Sequence, residues 1–123
     1  MRWLTVLLAM ALVSASASAQ VVNCSRIGEV FAGRLALSTG AMDEDGVWHA
    51  AVELEQVRNT VGSGDCFLAG MAVALQRGEP LGEALRLAVA CGAANAMDVE
   101  TGYVRPDQVE ALLGRVRVQA WKH

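Results

Sequence analysis

The stretch Gly62-Ser63-Gly64-Asp65 separates two parts of the chain that differ in hydrophobic pattern. Before it, short apolar runs at 34–38 and 47–53 flank the charged segment 43–46, which is typical of buried strands joined by a turn. After it, apolar residues recur every three or four positions, which is typical of helices. Strands followed by helices predict part of an α/β layered fold rather than a helix bundle.

The predicted strands are bounded by turn residues. The first run should end at Thr39-Gly40, and Asp45-Gly46 favours a tight reversal before the second run. Val116 and Val118 indicate a last strand or an extended tail. A lone His49 in the second run is expected to be a packing residue rather than a metal ligand.

Three helices are predicted after the glycine stretch. The first should end at Gly78, the second should open at Pro80, and the third should start at Pro106. The apolar face expected on the first helix consists of Phe67, Leu68, Met71, Ala72 and Leu75. The faces expected on the second and third consist of Leu81, Leu85, Ala88, Val89, Gly92 and Ala96, and of Val109, Leu112 and Leu113.

Charge and cysteine content exclude several classes of function. The net charge is −3 and the 10 lysines and arginines are scattered, so neither nucleic acid nor a membrane surface is an expected partner. Cys24, Cys66 and Cys91 show no CxxC spacing, so no metal site is expected. Cys66 lies at a predicted helix start, where the dipole favours a thiolate, but such a residue is more often a small buried apolar side chain.

Residues 1–19 have the form of a secretory signal. Arg2 precedes the apolar segment 4–13, and Ala17-Ser18-Ala19 supplies the small residues that a signal peptidase prefers. That apolar segment is too short to span a bilayer. An unrelated leader, or a buried strand or helix, would explain the same residues. Residues 20–33 carry no pattern that assigns them.

The glycine stretch predicts an anion hole at a helix N-terminus. Gly62, Ser63 and Gly64 let the backbone turn its N–H groups toward one point, and the helix adds roughly half a positive charge there. Glycine accepts positive φ and leaves room for a phosphate. Asp65 is placed beside the anion, where it could take a proton from a substrate hydroxyl that attacks a phosphoryl group.

Other glycine motifs do not fit this stretch. A P-loop needs Lys and then Ser or Thr after its last glycine, where Asp65-Cys66 stands. A dinucleotide fingerprint needs glycine where Phe67 stands, and a nucleophile elbow needs glycine where Val61 stands. The remaining alternative is that Asp65 only complements the helix dipole and the glycines only make the turn.

The longer segment 59–70 closely resembles the C-terminal signature of the PfkB/ribokinase family of carbohydrate kinases, whose core is D/N-T-x-G-A/S-G-D. The match extends upstream through 37–50. Downstream, 90–96 and 109–113 look like the branch that phosphorylates phosphosugars, such as 1-phosphofructokinase and tagatose-6-phosphate kinase. The resemblance covers about residues 34 to 119 and places the C-terminal part of a kinase domain at 34–123.

The resemblance implies a partial ribokinase-like α/β fold, ATP as phosphoryl donor, Mg²⁺, and a sugar or phosphosugar acceptor. It implies Asp65 as the base and Gly62-Ser63-Gly64 as the anion hole. Asn59 and Thr60 match positions near the phosphates and a monovalent cation site, and Asn95 matches a position lining the adenine pocket. Asn59 stands where aspartate is commoner, which argues against a bound cation.

The family's N-terminal portion, with its sugar-binding residues and acidic Mg²⁺ motif, has no counterpart in the sequence. The chain is therefore expected to be a kinase fragment, with a missing kinase half or a second copy of itself in a homodimer as its expected protein partner. The alternatives are a nucleotide-binding remnant without turnover and an exported scaffold. The family implies the cytoplasm, whereas a genuine signal at 1–19 would place the chain outside it.

Overall fold

The fold is described by a computed structural model for residues 26–31 and 34–121, with the side chains of 36–121. Four strands form one antiparallel sheet in chain order: β1 (Arg26–Phe31), β2 (Arg34–Asp43), β3 (Gly46–Leu54) and β4 (Arg117–Trp121). Three helices stand between β3 and β4 in the chain: α1 (Ser63–Gln76), α2 (Leu81–Met97) and α3 (Pro106–Leu113). The predicted α/β order of strands followed by helices is confirmed.

A tight hairpin joins β2 and β3. Asp43 pairs with Gly46, and the Asp43 Oδ1 accepts hydrogen bonds from the N–H groups of Asp45 at 3.0 Å and Gly46 at 3.1 Å. Such a carboxylate-to-backbone bond stabilises a reversal of this kind. The predicted turn is confirmed.

The prediction that the first strand ends at Thr39-Gly40 is wrong. In β2, Thr39 pairs with Ala50 and Gly40 with His49, so the ladder continues to the hairpin turn. Thr39 is buried between Leu37 and Ala41 on the same face of the sheet. Cross-strand pairing outweighs the turn preference of a threonine-glycine pair. Residues 20–33, unassigned from sequence, contribute β1, which pairs with β2.

Helix α2 is the centre of the molecule. One side of it packs on the sheet, and its other sides contact α1 and α3. All six residues predicted on its apolar face are buried. From β2 and β3 the buried side chains facing it include Leu37, Val52 and Leu54. The sheet and α2 together form the hydrophobic core. Because α1 packs on α2, this core also fixes where α1 begins.

The buried face of α1 differs from the predicted one. Phe67 and Met71 are buried as expected, but Ala72 is exposed, Leu68 is 62% exposed and Leu75 is 42% exposed. Gly70 lies instead on the buried face, together with Cys66 and Ala74. A Cβ at Gly70 would stand 2.9 Å from the Cys91 Sγ. The two helices α1 and α2 therefore lie too close together for a large side chain such as leucine to fit between them. Small residues therefore decide which face of α1 packs.

Helix α3 starts at Pro106 as predicted, and Val109 and Leu112 are buried. None of the helices in the described part of the chain is both long enough and apolar enough to cross a membrane. The predicted signal at 1–19 lies outside the described residues and stays a prediction.

Candidate functional site

Gly62 shapes the backbone just before α1. Its φ is +86°, in the left-handed region that side chains disfavour. A Cβ at Gly62 would also lie 2.7 Å from the backbone nitrogen of Gly102. Both the backbone conformation and the available space therefore require glycine at position 62. The anion-hole hypothesis predicted the positive φ. The contact with Gly102 brings the segment after α2 against the loop before α1, which the sequence did not indicate.

Three backbone donors remain available at this helix start. Within the described residues, the N–H groups of Gly62, Gly64 and Asp65 donate no hydrogen bond. The Ser63 N–H, by contrast, donates to the Thr60 carbonyl at 3.2 Å, and the Cys66 N–H donates to the Gly62 carbonyl at 2.9 Å. Free amides at the positive end of a helix are the groups that bind phosphate.

Gly64 leaves the approach to these amides open. A Cβ placed on Gly64 would meet no atom within 4 Å, and Gly64 is exposed. Its φ is not in the positive region that only glycine favours. Gly64 is therefore required neither by the fold's packing nor by its own backbone conformation. What its missing side chain provides is space in front of the helix terminus.

Asp65 lies in the first turn of α1 and is exposed. No hydrogen bond or ion pair engages its carboxylate among the described residues. A carboxylate in this position complements the helix dipole whether or not it also serves a substrate. Asp65 directly follows Gly64 in the sequence and both residues are exposed, so the acid lies at the same helix terminus as the free amides. Its role as base stays a prediction.

Asn95 supports the loop from beneath. It is fully buried, and its Nδ2 donates to the Val61 carbonyl at 2.9 Å and to the Ser63 Oγ at 3.0 Å. Its Oδ1 is buried without a partner in the described part of the chain. Ser63 is 1% exposed, so its hydroxyl faces the interior. The predicted place of Asn95 in an adenine pocket, and of Ser63 in the anion hole, stay predictions.

Asn59 holds the loop from the side. Its Oδ1 accepts a hydrogen bond from the Val61 N–H at 3.0 Å. Its Nδ2 donates to the Val99 carbonyl at 3.1 Å and to the Thr101 Oγ1 at 3.0 Å. Asn59 thereby joins the loop before α1 to the segment after α2. Thr60 is exposed and contributes its carbonyl to the Ser63 N–H, and its predicted place near the phosphates stays a prediction.

Gly92 was expected only as part of an apolar face, but it adjoins the site. A Cβ at Gly92 would stand 3.0 Å from the Ser63 carbonyl oxygen, 3.3 Å from Leu37 Cδ2 and 3.4 Å from Phe67 Cβ. Helix α2 therefore passes directly behind the start of α1. The glycine and alanine content of α2 was the signal for such a close approach.

Cys66 is not the activated thiolate that its position at a helix start allowed. Burial, and then the negative charge of Asp65, raise its thiol pKa above the ordinary value. Burial, and then the neighbouring Cys66, likewise raise the pKa of Cys91. Both thiols favour the protonated form, so Cys66 packs as a small apolar residue.

Within the described residues, the start of α1 coincides neither with a cluster of metal ligands nor with the depression found on the sheet. Among the described residues, no group of three or more His, Cys, Asp or Glu side chains is placed to hold a metal ion. A depression of about 640 Å³ lies on the sheet, lined by His49, Glu53 and Arg117 among others.

A glycine loop, free amides and an adjoining acid at a helix start are features typical of proteins that bind phosphate. The sequence profile described as "pfkB family carbohydrate kinase" matches residues 36–108, which is more than half of the chain. The chain belongs to the pfkB family of carbohydrate kinases.

Solved structures of the same fold are also carbohydrate kinases. A candidate phosphofructokinase from Staphylococcus aureus is 30% identical over 69% of this chain and 27% of its own, with a TM-score of 0.64. A candidate 1-phosphofructokinase from Thermotoga maritima is 20% identical over 69% of this chain and 27% of its own, with a TM-score of 0.58. Phosphofructokinase-2 from Escherichia coli, solved with potassium, is 22% identical over 61% of this chain and 24% of its own, with a TM-score of 0.53.

These likenesses confirm the family and the partial ribokinase-like α/β fold expected from the sequence. The chain spans about a quarter of the length of the solved kinases that it matches. What a complete kinase of this family does with its substrates is therefore a matter of proposal for this chain.

Proposed function

We propose that this chain takes part in ATP-dependent phosphoryl transfer to the hydroxyl of a sugar or phosphosugar. The observation that carries the proposal is the set of free N–H groups at Gly62, Gly64 and Asp65, in a chain of the pfkB family. Three donors at the positive end of a helix suit the terminal phosphate of ATP. The acceptor class follows from the family, and the particular sugar is left open.

In this mechanism the amides stabilise the negative charge that spreads over the transferred phosphoryl group. The acceptor hydroxyl gives its proton to the Asp65 carboxylate while its oxygen forms the new bond to phosphorus. The bond between that phosphorus and the ADP oxygen breaks, and ADP leaves. Asp65 is exposed and carries no competing hydrogen bond within the described residues, so its oxygens are available for this proton.

Mg²⁺ is implied by the family, but the described residues do not fit a resident site for it. They contain no cluster of candidate ligands, and the nearest carboxylate in sequence to the free amides is Asp65 alone. Mg²⁺ commonly reaches such sites on the phosphates of the nucleotide, with few protein ligands. We assign no residue of this chain to it.

A monovalent cation was a further expectation, and a potassium complex exists for the Escherichia coli kinase. In this chain the matching residue, Asn59, directs its amide nitrogen toward the Val99 carbonyl and the Thr101 hydroxyl. A nitrogen that carries two protons cannot ligate a cation. The residues present therefore do not fit the ion, and no step of the mechanism uses it.

Partners of this chain are proposed as ATP, the acceptor sugar, and a polypeptide that supplies the part of the kinase this chain does not match. Because positioning of the acceptor provides much of the rate in phosphoryl transfer, turnover is expected to need that further part. A second copy of the chain is the other candidate partner, which would form a homodimer without supplying the unmatched part. This proposal places the activity in the cytoplasm, where its ATP is found.

A second candidate function is nucleotide binding without turnover. The match to only about a quarter of each solved kinase favours it, since the free amides lie within the matched part. Under this alternative the chain binds ATP and phosphorylates no sugar. An exported scaffold, the third expectation, depends on 1–19, which lie outside the described residues.

Calorimetric titration of the full chain with ATP tests the proposal, with Gly64→Asp and Asp65→Asn as a matched pair. Gly64→Asp places a carboxylate before the amides and should weaken binding by at least roughly tenfold. Asp65→Asn should leave affinity within about twofold and lower any phosphorylation of a hexose or hexose-phosphate panel by roughly 10² to 10⁴.

The outcomes separate the candidates. Absence of ATP binding by the wild-type chain, or equal losses of affinity in the two variants, would overturn the anion-hole assignment. Binding with the expected response to Gly64→Asp but without phosphorylation, even after addition of the N-terminal part of a homologous kinase, would favour the nucleotide-binding alternative.

A further inference from the structure

The Asn59 side chain lies at the junction of two segments that are far apart in sequence. On one side is the loop 59–62, and on the other is the segment 99–102. The two Nδ2 contacts, at 3.1 Å to the Val99 carbonyl and 3.0 Å to the Thr101 Oγ1, bring two oxygens toward one nitrogen. Two oxygens converging on one centre form the kind of arrangement that a cation or a strong donor can occupy.

The orientation of this amide is fixed at both ends. The Val61 N–H is a donor, so the atom of Asn59 that faces it at 3.0 Å must be the oxygen. The Val99 carbonyl is an acceptor, so the atom that faces it must be the nitrogen. Rotating the amide by 180° would set a donor against a donor and an acceptor against an acceptor. The nitrogen therefore stays between the two segments.

We propose that the amide nitrogen of Asn59 takes the place of a monovalent cation in this loop, so that the shape of the anion site is independent of potassium. The N–H groups supply the positive partial charge that the Val99 and Thr101 oxygens need. The same junction includes the approach of Gly62 to Gly102, where a Cβ would come within 2.7 Å of the Gly102 nitrogen. We call the hydrogen bonds of Asn59 to Val61, Val99 and Thr101 the latch. The latch thereby holds Gly62, whose N–H is one of the three free donors.

Replacing the amide by a carboxylate should restore a need for the ion. In Asn59→Asp, one oxygen can still accept from the Val61 N–H, but the other would face the Val99 carbonyl. The Thr101 hydroxyl can turn to donate, whereas a carbonyl has no proton to offer. Two acceptors in contact repel each other, and a potassium ion between them would relieve the repulsion. Replacing the Nδ2 of Asn59 by an oxygen thus converts a hydrogen-bond donor into a ligand for potassium.

The test compares thermal unfolding of the full chain in potassium chloride and in choline chloride at equal ionic strength. Wild-type protein should unfold at the same temperature in both salts. Asn59→Asp should unfold at a lower temperature in choline and regain stability selectively in potassium. Asn59→Ala is the control, since it loses the latch without gaining a ligand, and it should be destabilised equally in both salts.

A second measurement follows the anion site itself. The dissociation constant of ATP should be the same in both salts for wild-type protein. For Asn59→Asp it should be roughly tenfold lower in potassium than in choline, since the ion and the anion site are coupled. Selective stabilisation of the wild-type chain by potassium would overturn the proposal, as would an Asn59→Asp variant without a potassium effect.

The inference depends on the contacts of Asn59 and not on turnover. The unfolding comparison therefore stands even if the chain transfers no phosphoryl group. Conversely, a wild-type chain that binds ATP only in potassium would overturn the latch and leave the kinase proposal intact.

Discussion

Asn95 and Ser63 form a buried hydrogen bond that connects the middle helix to the start of α1. The Asn95 Nδ2 lies 3.0 Å from the Ser63 Oγ, and Asn95 has no exposed surface. The same nitrogen also donates to the Val61 carbonyl at 2.9 Å. One side chain from α2 thus orients two successive parts of the loop whose free amides face solvent. The core therefore fixes the geometry of the loop in which the anion site is proposed.

Asn95→Ala should therefore affect stability and anion binding together. Removing the amide leaves the buried Ser63 hydroxyl and Val61 carbonyl without their donor, which costs about 1 to 3 kcal/mol of unfolding free energy. The affinity of the folded protein for ATP should also fall by several-fold, about 3 to 10 times, if the loop relaxes. Urea unfolding and calorimetry measure the two effects, with the exposed Gln119→Ala as the control.

A stability loss without a change in the affinity of the folded fraction would show that Asn95 only packs. An affinity loss without a stability loss would contradict the burial argument. Either result would separate the support of the loop from the support of the core.

Gly62 and Gly64 should respond oppositely to the same substitution. Gly62→Ala adds a methyl group at φ +86° and within 2.7 Å of the Gly102 nitrogen, so we expect a loss of about 2 to 4 kcal/mol. Gly64→Ala meets open space inside the first turn of a helix and should leave stability unchanged or raise it by up to about 1 kcal/mol. Urea unfolding of the two variants checks both values.

The affinity for ATP makes the comparison informative about the site. Gly64→Ala should weaken ATP binding even though it does not destabilise the fold, because its methyl group enters the space before the free amides. If Gly64→Ala binds ATP as tightly as the wild type, the phosphate does not sit at this face of the helix terminus.

The features that sequence reasoning predicted are those that local chemistry decides. The hairpin turn at 43–46 follows from an Asp-Gly pair, and proline marks both helix starts, since α2 begins directly after Pro80 and α3 begins at Pro106. The loop before α1 was predicted for the same reason, since glycines, a following helix and Asp65 stand together in sequence. Local sequence patterns were also sufficient to identify the family.

The features that sequence reasoning missed depend on contacts between distant segments. The turn preference of Thr39-Gly40 was overridden by pairing with β3, and the packed face of α1 was decided by the approach of Cys91 to Gly70. Asn59 reaches a residue 42 positions away in Thr101. No periodicity or motif in a single sequence reports such a pair.

The raised thiol pKa values of buried Cys66 and half-buried Cys91 predict a loss of stability at alkaline pH. Burial raises the thiol pKa of Cys66 and of Cys91 in the folded chain, so the folded state holds their protons more tightly than the unfolded state does. Their contribution is complete below the ordinary thiol pKa and is lost as the pH rises through the raised values. In a Cys24→Ser background, urea unfolding between about pH 8 and pH 10 should therefore show a steeper loss for the chain with both thiols than for the Cys66→Ala, Cys91→Ala double variant. Parallel pH profiles for the two proteins would contradict the shift.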